Sequence, residues 1–289
     1  MTLSAPMRCS ALAEELNEPM IGTVDQRIRW LLLEDRSAWG TDAVKDVLGA
    51  SFVREAKALR LRPLLVRRRE GDPSADAVRR AILVDTATRQ MAVRTVEHPS
   101  ELAVADVAEV PIAEFGAVME DPIFLVCTNG KRDACCALRG RALMNALAPD
   151  HAERTWETTH LGGHRFSANL VCLPDGIVYG RVTAVDGPRL ADAFLAGRLD
   201  PAALRGRSAW PAPAQVAEQA LRVSLGSDGL SDLELLSVDG DADRASVAIA
   251  ADGATYRLEL VAERLAPSRP TSCRADELEE PIHWRVVSR

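Results

Sequence analysis

The chain has 289 residues, of which 47% are hydrophobic and 27% are charged, a composition typical of a soluble globular protein. Its length predicts about two domains at roughly 150 residues per domain, and its formal net charge of −7 argues against a general nucleic-acid-binding protein. No apolar run approaches the roughly 18 residues of a membrane span, and the amino terminus lacks the apolar region of a secretory signal. We therefore expect a cytoplasmic protein that binds neither nucleic acid nor membrane and keeps its cysteines reduced.

The first segment, residues 1–115, is predicted to alternate strands and helices. Apolar residues recur at helical spacing from Thr41, which can act as an N-cap, to Leu59, and they predict a helix there. Short apolar runs predict four strands, of which the last two form a hairpin. These strands are Arg29–Glu34, Pro63–Val66, Ala81–Val84 and Met91–Val96.

The second segment, residues 116–226, is predicted to have the α/β layer architecture. It opens with the apolar strand Pro122–Cys127, the polar loop Thr128–Asp133 and a helix from about Ala137 to Leu147. A strand, a hairpin and two helices follow, and this order of elements is typical of α/β proteins. The later elements are Arg154–Glu157, Leu170–Leu173, Ile177–Val182, Pro188–Ala196 and Ala214–Leu225.

The third segment, residues 227–289, has a different pattern and is predicted to be a small β appendage. Its apolar or β-branched residues alternate with polar ones, and the dipeptide Asp252-Gly253 indicates a hairpin turn. The predicted strands are Leu233–Val238, Ala245–Ala250, Thr255–Val261 and a last one near His283–Val287.

Two short clusters contain three of the six cysteines and two of the five histidines. The first reads CTNGKRDACC and runs from Cys127 through Cys135 to Cys136. Because Cys127 ends a strand and Cys136 opens a helix, the turn between them can bring two thiols together, and a helix start favours the thiolate. The second cluster, HLGGH, runs from His160 to His164, and its two glycines predict a loop rather than a helix.

The remaining cysteines are expected to be small buried apolar side chains or bystanders. The remaining histidines are expected to be surface or core side chains, and nothing in the sequence pairs them. These cysteines and histidines are Cys9, Cys172, Cys273, His98, His151 and His283.

The spacing of the two clusters is compatible with more than one kind of site. Zinc accepts two cysteines and two histidines, but structural zinc sites usually separate paired cysteines by two to four residues. Eight residues separate Cys127 from Cys136, a spacing that also suits a two-iron cluster held by two thiolates and two imidazoles. Spacing alone favours neither, and it leaves open a purely structural origin.

Four sequence stretches resemble the sucrase/ferredoxin-like family, which includes the fungal actin-patch-distal ferredoxins. They are LVCTNGKRDACCALRGRAL, WETTHLGGHRFSANLVCLPDGIVYGR, LRGRS and, more loosely, IGTVDQRIRWLLLEDRSAW near the amino terminus. The resemblance implies a thioredoxin-like ferredoxin domain with a [2Fe–2S] cluster held by two cysteines and two histidines. Carried over to this chain, the ligands are Cys127, Cys136, His160 and His164. The chain has Asn129 where the family often has a histidine that is not a ligand.

The fold expected from these observations is an α/β protein in three parts. An N-terminal α/β segment spans residues 1–115, the thioredoxin-like [2Fe–2S] domain spans residues 116–226, and the β appendage spans residues 227–289. The expected function is single-electron transfer by a carrier rather than a self-sufficient enzyme, with the imidazole ligands allowing redox to be coupled to protons. We expect an electron-donating reductase, for which a flavoprotein is one candidate, and an acceptor that the sequence does not name.

Two alternatives of other classes remain. One is a zinc-stabilised Cys2His2 binding module without redox activity. The other is a thioredoxin-like thiol oxidoreductase using Cys135 and Cys136, which lack the C-x-x-C spacing of redox-active pairs. Three basic residues beside the clusters, Lys131, Arg132 and Arg165, are candidates to donate hydrogen bonds to cluster sulfurs or to dock an acidic partner, and solvated loop charges are the simpler interpretation.

Overall fold

The computed structural model of the protein describes residues 8–68, 78–275 and 277–288. The absence of a secretory signal was predicted partly from residues 1–7, which lie outside the described residues. Within the described ranges the chain forms a ten-stranded sheet, a separate four-stranded antiparallel sheet and eight α-helices. No helix in the described part of the chain is long and apolar enough to cross a membrane.

The strands of the large sheet come from residues 29–207. They are β1 (Arg29–Glu34), β2 (Arg62–Arg67), β3 (Arg79–Asp85), β4 (Gln90–Val96), β5 (Ala117–Met119), β6 (Ile123–Cys127), β7 (Thr155–Thr158), β8 (Leu170–Leu173), β9 (Ile177–Tyr179) and β10 (Leu204–Arg207).

The strands of the small sheet follow one another in the carboxy-terminal part of the chain. They are β11 (Leu233–Gly240), β12 (Arg244–Ala251), β13 (Ala254–Arg264) and β14 (Ile282–Ser288).

The helices connect these strands or pack beside them. They are α1 (Cys9–Glu15), α2 (Ala43–Leu48), α3 (Ala50–Ala58), α4 (Val104–Glu109), α5 (Ile112–Phe115), α6 (Ala134–His151), α7 (Asp186–Leu195) and α8 (Ala212–Leu225).

The large sheet has the strand order β10-β9-β8-β6-β7-β2-β1-β3-β4-β5. Its neighbouring strands β6 and β7 are parallel and are connected through α6, as a crossover between parallel strands requires. This mixed sheet with helices confirms the predicted α/β class, and the small sheet confirms the predicted β-rich carboxy-terminal part. Strands from residues 1–115 and from residues 116–226 belong to the same large sheet. The predicted boundaries between the three segments stay a prediction.

Both faces of the large sheet are buried, because alternate residues of its central strands enter different apolar clusters. In β6, Phe124 and Val126 pack with α6, α7 and α8 on one side, while Ile123 and Leu125 pack on the other. This double burial explains why β6 is a continuous apolar run rather than an alternating one. The carboxyl ends of β6 and β7 are thereby fixed in a rigid frame.

The prediction of one continuous helix from Thr41 to Leu59 is wrong. The structure divides it into α2 and α3 at Gly49, which has a φ of 89° and a ψ of 156°. This backbone conformation is open to glycine and interrupts the helix, although the apolar spacing continues across it. Asp42, rather than Thr41, occupies the position before α2.

Five elements had no counterpart in the sequence prediction, and one helix is longer than predicted. The unpredicted elements are α1, α4, α5, β5 and β10, all short and therefore weak in periodicity. Helix α6 begins at Ala134 and ends at His151, beyond the predicted limits of Ala137 and Leu147. The earlier start places Cys135 and Cys136 in its first turn.

Candidate metal centre

Two of the predicted site residues lie at the carboxyl ends of neighbouring parallel strands. Cys127 is the last residue of β6, and its partner across the ladder is Thr158, the last residue of β7. His160 follows two residues later. The parallel pairing therefore brings Cys127 and the start of the histidine loop to one edge of the sheet, where open α/β sheets commonly bind ligands.

Cys136 reaches the same edge because α6 starts there. The Asp133 side chain caps the helix by accepting a hydrogen bond from the backbone N–H of Cys135 at 2.9 Å. The helix also passes very close to the end of β6 at Gly140, where a Cβ atom would lie 2.2 Å from the carbonyl oxygen of Cys127. The absence of a side chain at Gly140 lets the helix bring Cys136 towards Cys127.

His164 is positioned by the glycine loop predicted from the sequence. Gly162 and Gly163 both have positive φ, 82° and 65°, and a single 3₁₀ turn starts at His164. The Asn169 side chain donates to the Gly163 carbonyl oxygen, and buried Arg205 donates to the Asn169 side chain at 2.7 Å. This network fixes the loop that carries both histidines.

The structure brings all four predicted site residues together. The Cys136 Sγ atom lies 3.3 Å from His164 Nδ1, and the imidazole rings of His160 and His164 stack with their centroids 3.9 Å apart. Cys127 lies beside Cys136, and each thiol is the largest influence on the pKa of the other. Two thiols and two imidazoles thus form one contiguous group.

The protonation of the two imidazoles suits metal ligands, which must offer lone pairs. A hydrogen bond from Cys136 holds the pKa of Cys127 below its usual range, while the same contact and burial raise the pKa of Cys136. Burial lowers the pKa of His160 to about 3, and burial also lowers the pKa of His164. Both imidazoles are therefore neutral near pH 7.

The cationic side chains near the site are mostly engaged in ion pairs. Arg132 pairs with Asp42 at 2.8 Å, and Arg165 pairs with Glu18 at 2.7 Å. Among the described residues no ion pair is recorded for Lys131, which is exposed. Of the three flanking basic residues, Lys131 is therefore the one whose charge faces solvent without a recorded partner.

The expectation that Cys9 and Cys273 are bystanders is wrong. Both contact Cys135, with Sγ–Sγ distances of 3.7 Å from Cys9 and 3.3 Å from Cys273, and Cys9 lies 3.4 Å from Cys273. No local pattern in the sequence indicated this second cluster, because its members are separated by more than 120 positions. Cys172 is buried in the core, as expected.

Among the described residues, neither ring nitrogen of His151 has a hydrogen-bond partner, although the ring lies next to another helix. Its Nε2 atom lies 3.2 Å from a carboxylate oxygen of Asp192, so the end of α6 contacts α7. Helix packing, rather than any local motif, places these two side chains together.

Adjacent Cys135 and Cys136 belong to different clusters. Cys136 contacts Cys127 and His164, whereas Cys135 contacts Cys9 and Cys273 and accepts a hydrogen bond from Ser10. Successive helical residues point about 100° apart, which explains the divergence. This geometry disfavours the alternative in which Cys135 and Cys136 act as a redox pair.

Comparison with known proteins agrees with the residues assembled at this edge of the sheet. The sucrase/ferredoxin-like family model matches residues 20–206. This chain belongs to the sucrase/ferredoxin-like family. The matched range includes both parallel strands, α6 and the histidine loop, so the candidate site lies inside the range that the family model matches.

One fungal relative of this sucrase/ferredoxin-like protein is similar over a shorter range. It is altered inheritance of mitochondria protein 32 from Meyerozyma guilliermondii, 29% identical over 85 residues. The match covers 26% of this chain and 30% of the relative, so less than a third of that protein is matched. No solved structure gave a significant match.

The donor set of this sucrase/ferredoxin-like protein fits a thiophilic metal centre. Thiols and imidazoles are ligands that zinc, copper and iron–sulfur clusters accept, whereas calcium and magnesium prefer oxygen atoms. Among the described residues, Asp133, Cys136 and His164 place ligand atoms within 4.8 Å of one another. The cluster of cysteine, histidine and aspartate side chains is thus a candidate metal-binding site.

Proposed function

We propose that this protein is a ferredoxin-like electron carrier that holds one [2Fe–2S] cluster through Cys127, Cys136, His160 and His164. The observation that carries the proposal is the convergence of two thiols and two imidazoles at the carboxyl ends of β6 and β7. Family membership supports it. When bound, such a cluster supplies a one-electron redox centre.

The ligand types have a consequence for the charge of the site. Two thiolates and two neutral imidazoles contribute two negative charges, whereas four thiolates contribute four. Addition of an electron is opposed less strongly in the first case, and centres with two histidines have higher potentials than four-cysteine ferredoxins. We therefore expect a reduction potential above the value of about −400 mV typical of plant-type ferredoxins.

Two arginines add to this effect because they lie close to the ligands. Arg62 donates a hydrogen bond to the carbonyl oxygen of His160 at 3.2 Å. Arg205 is 2% exposed, and burial lowers its pKa to about 9, so that it still carries its charge at neutral pH. Positive charges held inside a protein stabilise added negative charge more strongly than they do in water.

The site has an open side that suits an electron-transfer partner. A cleft of about 1000 Å³ is lined by the tip of the histidine loop, Leu161–Gly163, together with Arg62, Arg165 and Arg205. Lys131 is exposed on the loop between the two cysteines and lines a different cleft. We assign the arginine-lined cleft to an electron-donating reductase with an acidic docking surface, of which a flavoprotein is the first candidate, and to a second protein as acceptor.

A cytoplasmic setting belongs to the same proposal, because thiols are kept reduced there. All six cysteines are unpaired by disulfides in the structure. Reduced thiols are needed to hold the cluster, since the thiolate is the form that binds metal.

The test is anaerobic purification of the full chain followed by visible absorption, EPR spectroscopy and analysis of iron and sulfide. The proposal requires a coloured protein with two irons and two sulfides per chain that is bleached by one electron equivalent. A colourless protein with stoichiometric zinc bound by two sulfur and two nitrogen atoms would contradict it.

That contrary result would favour the second candidate function, a zinc-stabilised Cys2His2 binding module. The observation in its favour is the short separation of Cys136 Sγ and His164 Nδ1, 3.3 Å. Two ligands of one tetrahedral zinc ion lie about 3.5 Å apart. Zinc in that site would make the protein redox-inactive, so the same spectra separate the two functions.

A further inference from the structure

A second group of thiols lies beside the site described above. Cys9, Cys135 and Cys273 form a triangle with Sγ–Sγ distances of 3.3, 3.4 and 3.7 Å. The three side chains come from the first turn of α1, the first turn of α6 and the segment between β13 and β14. Helix α1 and the segment before the last strand thus meet at the helix that carries Cys136.

A buried carboxylate completes this group. Asp133 is 1% exposed, and its Oδ2 atom lies 3.9 Å from Cys9 Sγ. It also accepts hydrogen bonds from the backbone N–H groups of Cys135 and Cys273, both at 2.9 Å. The sulfur atoms of the three cysteines and one oxygen of Asp133 all lie within 4.8 Å of one another.

Apolar packing alone does not account for this group. Free cysteines are commonly scattered in cores as small apolar side chains, as Cys172 is in β8. Here three thiols from distant parts of the chain meet at a buried carboxylate, and a buried charge requires a compensating partner. A cation bound among the three sulfurs and the carboxylate supplies that compensation.

We propose that Cys9, Cys135, Cys273 and Asp133 bind one Zn²⁺ ion. The proposal does not depend on the electron-transfer function, because it uses none of the four residues assigned to the iron–sulfur cluster. Asp133 borders both groups, since its Oδ2 atom also lies 3.9 Å from His164 Nδ1. Binding releases the thiol protons to solvent and forms three Zn–S bonds and one Zn–O bond. No electron is transferred.

The dimensions of the group fit zinc. Zn–S bonds are about 2.3 Å long, so tetrahedral geometry places two sulfur ligands about 3.8 Å apart. The three observed separations lie within about 0.5 Å of that value. The carboxylate favours Zn²⁺ over Cu⁺, because Cu⁺ prefers sulfur ligands alone.

The ion would link α1 and the segment between β13 and β14 to the helix that carries Cys136. Neighbouring contacts join the same parts: Glu18 accepts hydrogen bonds from both Arg165 and Arg269. Zinc would fix α1 and the segment around Cys273 to the first turn of α6, one residue before Cys136. Loss of zinc is thus expected to loosen the surroundings of the other site without removing its ligands.

The test compares metal content in the full chain purified anaerobically, without chelators, and incubated with Zn²⁺ before gel filtration. Cys273→Ser is the main variant, because Cys273 is exposed and its replacement leaves the core intact. Cys172→Ala is the matched control at a buried cysteine outside both groups. Cys127→Ser disables the other site.

Wild type, Cys172→Ala and Cys127→Ser should each retain one zinc per chain that resists dialysis against a weak chelator. Cys273→Ser should lose zinc at least tenfold faster while keeping its iron and sulfide. Equal retention of zinc by Cys273→Ser and wild type would overturn the proposal. So would wild type that binds no zinc, or a protein mass showing that two of these cysteines form a disulfide.

X-ray absorption at the zinc edge tests the site in the wild-type protein, without any substitution of a ligand. The wild-type spectrum should fit three sulfur atoms at about 2.3 Å and one oxygen atom. Two sulfur and two nitrogen atoms would place zinc in the Cys127 and His160 site and overturn the assignment. Absence of iron alone would contradict the electron-transfer function and leave this zinc site standing.

Discussion

The Sγ atom of Cys136 lies 3.3 Å from Nδ1 of His164, although the two residues are 28 positions apart in the chain. The contact turns Nδ1 of the ring towards the thiol. The His160 ring stacks on it and accepts a hydrogen bond at its own Nδ1 from the backbone N–H of Gly162. Among the described residues, no hydrogen-bond partner is recorded for the Nε2 atom of either ring, so neither is held by a buried acceptor.

This arrangement leads to the prediction that electron uptake is coupled to proton uptake. If His164 binds through the Nδ1 atom that faces the thiol, its Nε2 can gain or lose a proton, and reduction makes a deprotonated ring more basic. The potential should fall by about 59 mV per pH unit where that proton titrates, as for any one-electron, one-proton step. A potentiometric titration from about pH 6 to pH 10 checks this. A potential that stays flat over the whole range, with the cluster intact, would show that the ligands do not exchange protons.

The ligand assignment predicts which cysteines the chromophore needs. Cys127→Ser and Cys136→Ser should each lose the iron and the visible absorption, because the site then has only three ligands. Cys135→Ser and Cys172→Ser should keep both, since Cys135 faces the second cluster and Cys172 is a core residue. Iron analysis of the four variants checks this. A colourless Cys135→Ser variant together with a coloured Cys136→Ser variant would show that Cys135, and not Cys136, is the ligand.

The charge argument predicts the direction of a change in potential. In His164→Cys a thiolate replaces a neutral imidazole and adds one negative charge to the site. If the cluster assembles, its midpoint potential should fall on the order of 100 mV, towards the values of four-cysteine ferredoxins. Spectroelectrochemistry measures the change. An unaltered or higher potential would mean that His164 is not a ligand.

The close approach at Gly140 predicts an unusual response to alanine. In most helices a Gly→Ala change stabilises the fold by about 1 kcal/mol. Here the added Cβ would lie 2.2 Å from the carbonyl oxygen of Cys127, and overpacking of this kind costs about 1–3 kcal/mol. Gly140→Ala should therefore lower the free energy of unfolding in a denaturant titration and weaken cluster retention.

The matched control for that prediction lies on the same helix. Ala142 is exposed, so Ala142→Gly should cost about 1 kcal/mol through helix propensity alone and leave the visible spectrum unchanged. A Gly140→Ala variant more stable than wild type would show that α6 does not depend on this contact.

The contact between α1 and α6 predicts a small loss of stability in acid. Arg139 donates hydrogen bonds to both carboxylate oxygens of Glu14 and holds its pKa below the ordinary value of 4.5. A lowered pKa in the folded state gives stability that is complete above the unfolded pKa and is lost as the pH falls below it. Because the pair is partly exposed, the loss should be about 1 kcal/mol or less.

Unfolding of wild type and Glu14→Gln between pH 3 and pH 6 measures this contribution. The difference in unfolding free energy between the two proteins should be largest near pH 6 and shrink towards pH 3. A difference that does not change with pH would assign the effect of Glu14 to packing rather than to charge.

Much of the framework of the candidate site was predictable from the sequence, because it depends on local patterns. The continuous apolar run that ends at Cys127 predicted a strand, and the structure has β6 there, buried on both faces. Gly162 and Gly163 predicted a loop, and both have positive φ. Both patterns can be read from the sequence, because burial and backbone conformation limit which residue type can stand at each position.

The sequence by itself determined the residue types that can bind metal, the strands and helices that present them, and the family resemblance. Only the tertiary structure decided which side chains meet. It placed Cys9 and Cys273 against Cys135, from 126 and 138 positions away, and it separated adjacent Cys135 and Cys136 into different clusters. Local periodicity reports whether a residue is buried, but it carries no information about which distant residue is buried beside it, because that depends on the order in which strands pair and on how helices pack over them.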